Sequence, residues 1–267
     1  MNMMKENLLI SFSGGKTSAY MTHHILNNLT EKYNCVVVFA NTGRENEETL
    51  EFVRDCDLYL GFKTYWVEAV IHEGRKSTSF RLTNFLTACR NGEPFEAMIQ
   101  KYGIPNKSFP HCTRELKIRP INAFAKKYFG NFYTSAIGIR ADEVDRIQKG
   151  RFIYPLIKFG VTKKIVNEFW EQMYFTLKLP EYRGNCKECW KKSFKKLALI
   201  AKDGDGKWIE DMEKKYSNFI PESQAIGRTI PVNFFRGNKN WADIKALNQI
   251  EIKDELPNGC SESCEAF

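Results

Sequence analysis

The chain has 267 residues, 43% of them hydrophobic and 13% aromatic, with 40 Lys+Arg against 32 Asp+Glu and a formal net charge of +8. A chain of this size buries a substantial core without disulfides, and its 27% charged content, interleaved with apolar runs, excludes disorder over most of the length. The longest clean apolar run, Cys35 to Ala40, is strand-sized and far short of the roughly 18 residues of a membrane span. Met1 to Glu6 has no secretory pattern, so the expectation is a soluble cytoplasmic protein of one large domain, or one plus an appendage.

In chain order, Asn7 to Phe12 reads as a short apolar strand running into Ser13-Gly14-Gly15-Lys16-Thr17-Ser18. From Thr17 the apolar residues Ala19, Tyr20, Met21, Ile25 and Leu26 fall at helical spacing. Val36 to Ala40 is a second strand, closed by a turn at Asn41-Thr42-Gly43, and a helix starts near Glu45. Thr64 to Val70 is a third strand. Ser79 to Lys107 reads as an irregular helical excursion, and Leu116 to Tyr128 as an amphipathic helix interrupted early by Pro120. Phe132 to Ile139 is another strand, Tyr154 to Ile157 an extended segment, and Thr162 to Leu177 a helix with Thr162 as N-cap. Strand–helix alternation of this kind predicts a parallel α/β sheet. Beyond Pro180 the composition shifts toward Lys, Gly and Cys. That places a nucleotide-binding domain over 1–180 and a Cys/Lys-rich region over 181–267, whose last ten residues read as a mobile tail.

A glycine-rich turn between a first strand and a helix is an anion site. The N–H groups around Gly14 and Gly15 can point at phosphate oxygens, Ser13 and Ser18 add hydroxyl donors, and Lys16 neutralises charge. The G-x-x-x-x-G-K-[ST] spacing of the kinase and GTPase loop is absent. Lys187 to Lys202 is locally basic, which suits either an anion-facing surface for nucleotide or nucleic acid or a solvated helix face.

Four segments stand in order: Ser13 to Ser18; Phe39 to Leu50, with its Asn-Thr-Gly and Glu-Thr-Leu; Cys112 to Pro120, with Cys-x-x-x-Leu-Lys-x-x-Pro; and Gly138 to Arg146, followed by Tyr154-Pro-Leu156. Together they resemble the phosphoadenosine phosphosulfate (PAPS) reductase branch of the PP-loop ATP pyrophosphatase superfamily. The resemblance covers roughly residues 7 to 195 and implies an adenine nucleotide alpha hydrolase-like fold. That is an open, mostly parallel five-stranded sheet with helices on both faces, binding ligand beyond the C-terminal strand ends. It implies that Ser13, Gly14, Gly15, Lys16, Thr17 and Ser18 hold phosphate or sulfate oxygens, with Lys16 assisting catalysis. Asn41, Thr42 and Gly43 would lie near the adenosine. Gly138 shares that site, and Lys117, Arg140 and Arg146 would meet the anionic end. Many superfamily members carry Asp where this chain has Thr17. A magnesium-assisted ATP reaction would therefore need another carboxylate, such as Glu47 or Glu48.

Of the eight cysteines, Cys35, Cys56 and Cys89 stand singly among apolar residues and read as buried small hydrophobes. Cys112, Cys186-x-x-Cys189 and Cys260-x-x-x-Cys264 suggest metal or redox chemistry instead. Iron-sulfur members of the resembled family use a Cys-Cys pair, about eighty residues, then Cys-x-x-Cys; here His111-Cys112 stands at the first pair. A [4Fe–4S] cluster on Cys112, Cys186 and Cys189, with His111 or a tail cysteine such as Cys260 as fourth ligand or with one iron left open, is one expectation. Zinc on the Cys186/Cys189 and Cys260/Cys264 pairs is its rival. The family's reductases attack sulfur with a tail cysteine, a role open to Cys264, although its Glu-Cys-Gly-Leu-His motif is missing.

Three functions follow. The first is reduction of PAPS or its 3′-dephospho form APS to sulfite, with Cys264 or Cys112 in catalysis and a thioredoxin-type reductant. The second is ATP-dependent thiolation of nucleic acid through an adenylated intermediate. The third is a nonenzymatic nucleotide-binding module with a structural metal.

Overall fold

The computed structural model describes residues 5–222, 225 and 229–247. Strand β1 (Glu6–Ser11) leads into helix α1 (Lys16–Asn28), followed by β2 (Tyr33–Asn41), α2 (Glu47–Leu60), β3 (Thr64–Ile71) and β4 (Thr78–Thr83). Helix α3 (Glu93–Tyr102) precedes a continuous helical stretch made of α4 (His111–Thr113), a π turn (Arg114–Ile118) and α5 (Arg119–Phe129). Then come β5 (Thr134–Ala136), a 3-10 segment (Ala141–Arg146), β6 (Phe152–Ile153), α6 (Pro155–Lys158) and α7 (Lys163–Gln172). The C-terminal region contributes α8 (Phe194–Lys202), α9 (Lys207–Tyr216) and α10 (Trp241–Leu247).

The strands form one sheet in the order β4-β3-β2-β1-β5-β6. Five run parallel, and the sixth, β4, pairs antiparallel with β3 at the edge. Because strand side chains alternate between faces, Leu8, Ile10, Phe12, Val37 and Phe39 enter one core with Met21, Ile25, Phe52 and Trp170 of α1, α2 and α7. Leu9, Val36, Val38, Ala40 and Val67 enter the other with Ile121 and Phe124 of α5. The near-continuous apolar run of β2 is thus read by both faces, as a central parallel strand requires. A third core joins α3 and Leu116 to the C-terminal helices through Trp190, Leu197, Ile209, Phe234 and Trp241. The C-terminal region therefore lies against the segment that carries Cys112.

The structure corrects several expectations. Thr78 to Thr83 is strand, not irregular helix: β3 offers a free edge, and Phe80 packs on Phe124 of α5 with ring centroids 5.6 Å apart. Tyr154 to Ile157 is not extended, since Pro155 opens the single turn of α6. The helix read over Thr162 to Leu177 stops at Gln172, and Thr162 stands at its N-cap without a side-chain bond. The proline interruption takes the form of the π turn just before Pro120. A wider turn there accommodates a residue with no N–H, whose ring would clash with the carbonyl four residues back. Cys56 is buried, whereas Cys35 and Cys89 are only partly so. The tail, with Cys260 and Cys264, lies outside the described residues.

Candidate functional site

The strand order places β1 between β2, which continues toward β3, and β5, which starts the other half of the sheet. This is the switch point at which open α/β sheets bind ligands. Two of the resembled motifs meet there. Gly14 has φ +80°, and a Cβ on it would lie 2.7 Å from Thr49 Cγ2 and 3.1 Å from the Phe39 ring, so the loop sits tight on α2 and β2. The Ser18 hydroxyl accepts from the Ser13 N–H at 3.2 Å, lies 2.9 Å from the Ser13 hydroxyl and donates to the Gly15 carbonyl at 3.0 Å. The loop is therefore preformed ahead of α1, whose N-cap is Gly15. A Cβ on Gly138 would lie 3.4 Å from Ser18 Cα. Arg140 reaches Thr17 Oγ1 at 3.3 Å and is also held by Asp142 and Glu143, while Arg146 donates to Glu143 at 2.6 Å. The two motif arginines thus share Glu143, and Arg140 stands beside the loop.

At the end of β2 the expected adenosine segment is largely internal scaffold. Buried Asn41 donates to Glu68 at 2.6 Å and to the Cys89 carbonyl at 2.9 Å, and its own oxygen accepts from the Gly43 N–H at 3.1 Å. The Thr42 hydroxyl donates to Glu45 at 2.9 Å and stands 3.4 Å from Cys186 Sγ, which in turn lies 3.5 Å from the same carboxylate. Of the two carboxylates considered as magnesium ligands, Glu47 is engaged by Arg90 at 2.7 Å, and that guanidinium holds it below the usual carboxylate range.

The second cluster is a small cavity of about 30 Å³ that Cys112, Cys186, Cys189, Thr42 and Lys117 all line. Three segments distant in sequence thereby meet in one space. Its remaining wall is mostly apolar and includes Phe95, Trp190, Trp208 and Phe234. Trp190 Nε1 donates to Cys112 Sγ at 3.4 Å. Arg44 Nη2 lies 2.7 Å from both Glu188 oxygens, buried, and its guanidinium stacks on Trp208 at 4.6 Å. His111 is buried one residue away, with its ring near those of Tyr102 and Phe109, and is not among the residues lining the cavity.

Three thiols around one cavity are the donor chemistry of an iron-sulfur or zinc site. Among the described residues, however, no three His, Cys, Asp or Glu side chains close on a common metal position. Cys260 and Cys264, the tail candidates for further ligands, lie outside the described residues.

Sequence reasoning missed Lys192. It is counted there in the basic stretch, yet it is 1% exposed, and its ammonium donates to the carbonyls of Gly184, Cys186 and Lys187 at 2.5, 2.7 and 3.1 Å. Burial lowers its pKa, with Cys189, Cys186, Glu45 and Glu188 acting in the opposite direction. Only its spacing from the Cys pair could have hinted at this. The Arg44–Glu188 pair carried no signal in the sequence.

Comparison with known proteins agrees with the geometry. The model of the phosphoadenosine phosphosulfate reductase domain matches residues 7–84, which hold the loop and the β2 segment. The nin region protein ORF290 of Escherichia phage lambda is 31% identical over 281 positions, covering 97% of this chain and 94% of that protein. A Methanocaldococcus jannaschii protein, MJ0066, is 29% identical over 140 residues, which is 52% of this chain and 24% of its own. Among solved structures, the U34-tRNA thiolase NcsA from Methanococcus maripaludis with its [4Fe-4S] cluster aligns over 99% of this chain and 81% of that one, at 13% identity and a TM-score of 0.39.

Proposed function

The chain belongs to the phosphoadenosine phosphosulfate reductase family of PP-loop enzymes, and from that premise we propose that it is an ATP-dependent sulfurtransferase. Residues 1–180 would bind the nucleotide, and 181–267 would close the thiol cavity over it. One observation carries the reading: Cys112, Cys186 and Cys189 line a single, mostly apolar cavity at the end of β2, beside the strand that delivers the phosphate loop.

In this reading the backbone of Gly14 and Gly15, the hydroxyls of Ser13 and Ser18, and Lys16 grip the phosphates of ATP. Arg140 and Arg146 balance charge at the anionic end. A carbonyl oxygen of the acceptor attacks the α-phosphorus and pyrophosphate leaves. A hydrosulfide equivalent then adds to the activated carbon, and AMP departs with the former carbonyl oxygen. Each turnover takes in one sulfide, consumes one ATP and changes no oxidation state. Cys112, Cys186 and Cys189 do not close on one metal position here, and drawn together they would hold an iron-sulfur cluster, or zinc, which when bound would supply a thiophilic metal at the cavity. The apolar wall of Phe95, Trp190 and Trp208 keeps water from the adenylate, whose hydrolysis would waste ATP. The acceptor we favour is a nucleic-acid base, consistent with the net charge of +8.

Reduction of PAPS or APS with a thioredoxin-type partner is the second reading, favoured by the description of the family model itself. Anaerobically prepared protein is offered ATP with sulfide and bulk RNA, or PAPS with reduced thioredoxin. Pyrophosphate and AMP release, with thionucleosides in the digested RNA, is expected. Sulfite from PAPS and no pyrophosphate from ATP would overturn the proposal in favour of the reductase.

A further inference from the structure

The loop that carries Cys186 and Cys189 has no regular secondary structure to hold it. It runs from Arg183 through Asn185, which takes a left-handed φ of +64°, a costly conformation for a non-glycine residue. Its two outer tethers come from the end of β2. Asn46 Nδ2 donates to the carbonyls of Arg183 and Asn185 at 2.8 and 3.3 Å, and the Lys187 N–H donates to the Arg44 carbonyl at 2.9 Å. On the inner side the loop closes around one cation. A lysine ammonium has three donors, and Lys192 spends all three on carbonyls of this loop, at Gly184, Cys186 and Lys187. The Lys192 backbone is itself fixed, its N–H donating to the Cys189 carbonyl at 3.0 Å and its carbonyl accepting from Arg236 at 2.8 Å.

A buried ammonium is costly to desolvate, and a norleucine-like apolar side chain would fill the same space without that cost. Its place directly behind the turn that bears the two cysteines therefore calls for a task that only a charged, three-pronged donor performs. We propose that Lys192 is the positioning residue of the Cys186–Cys189 turn, its ammonium gathering three loop carbonyls so that both thiols are presented to the cavity. This holds whichever sulfur reaction the cavity serves, because it concerns where the thiols stand and not what they transfer.

The test compares wild type with Lys192→Met, of similar length and without donors, and Lys192→Arg, which keeps charge and donors. Full-length protein free of metal is pulsed with iodoacetamide, and each cysteine is quantified by mass spectrometry. In Lys192→Met, alkylation of Cys186 and Cys189 is expected to rise about tenfold or more, since hydrogen bonds to a charged group are each worth that factor. Cys56 labelling and ATP affinity by calorimetry should stay at wild-type values, and Lys192→Arg should recover most of the protection. The cobalt-substituted protein supplies a second readout: its sulfur-to-cobalt absorption should weaken in Lys192→Met and return in Lys192→Arg. Wild-type labelling rates in a Lys192→Met protein that still binds ATP would overturn the proposal, as would an arginine variant that behaves like methionine. If Lys192→Met does not fold, Lys192→Gln takes its place in the same comparison, and wild-type labelling in that variant would overturn it as well.

Discussion

Arg140 reaches across the switch point of the sheet to Thr17, its Nη1 3.3 Å from the threonine hydroxyl, so the motif after β5 is tied to the first turn of α1. The arginine is anchored from behind by Asp142 and Glu143, an arrangement that fixes a guanidinium in place ahead of an anionic ligand. Arg140→Ala is therefore expected to weaken ATP binding by about tenfold or more, the value of one lost charge-assisted contact. Lys16→Ala should do the same. Calorimetry on both variants checks this, and unchanged affinity in Lys16→Ala would remove the phosphate-loop assignment altogether.

Gly14 tests the loop's geometry separately from its charge. Its φ of +80°, and the 2.7 Å that would separate a Cβ at this position from Thr49, leave no room for alanine. Gly14→Ala should cost about 1–3 kcal/mol of stability and lower nucleotide affinity together with it. Gly61, at φ +69° but with nothing within 4 Å of such a Cβ, is the control: alanine there should cost less and leave ATP binding intact. Urea titrations of the two variants give the comparison.

The glycine turn between β1 and α1 was legible because it is local: strand, glycines, hydroxyls and helix lie close together in sequence. The alternation of β1 and β2 was equally plain, since buried parallel strands are written as short apolar runs. β4 was not legible, because Thr78 to Thr83 becomes a strand only when the edge of β3 is there to pair with it. The thiol cavity was half legible. The Cys112 and Cys186/Cys189 spacing put the three together by resemblance, but Lys192 and the Arg44–Glu188 pair acquire their roles from contacts between residues far apart in the chain. Composition could count those charges only as surface. Asn41 shows the reverse: a motif position expected at the ligand is satisfied internally by Glu68, Cys89 and Gly43.

The Arg44–Glu188 pair closes the cavity from the side of β2, with both side chains nearly buried. Removing one partner of such a pair leaves the other charged and unsolvated, a cost of about 3–5 kcal/mol, whereas replacing both with apolar groups is often close to neutral. Arg44→Met and Glu188→Leu should each destabilise strongly, and the double variant should be far more stable than the sum of the two predicts. A thermal-unfolding double-mutant cycle measures the coupling, and simple additivity would mean the pair is not coupled in solution.

Cys35 and Glu213 are two groups whose titration burial shifts. Burial pushes the Cys35 thiol up to about 11, with Lys5 opposing, so little of it is thiolate at pH 8 and it should alkylate far more slowly than a free cysteine. Burial likewise raises Glu213 to about 7, against the bonds it accepts from the Trp241 N–H, while Asp243 and Glu210 push it higher. Its folded pKa lies above the ordinary 4.5. Between pH 4.5 and 7 the folded state therefore binds more protons than the unfolded one, and the stability this group provides when protonated is lost as pH rises through that window. Glu213→Gln keeps an oxygen for Trp241 but cannot ionise. It should match wild type in stability at pH 4 and exceed it at pH 8 by about 1–3 kcal/mol. Melting curves at the two pH values decide it: an equal effect at both would mean the carboxyl does not titrate in this window.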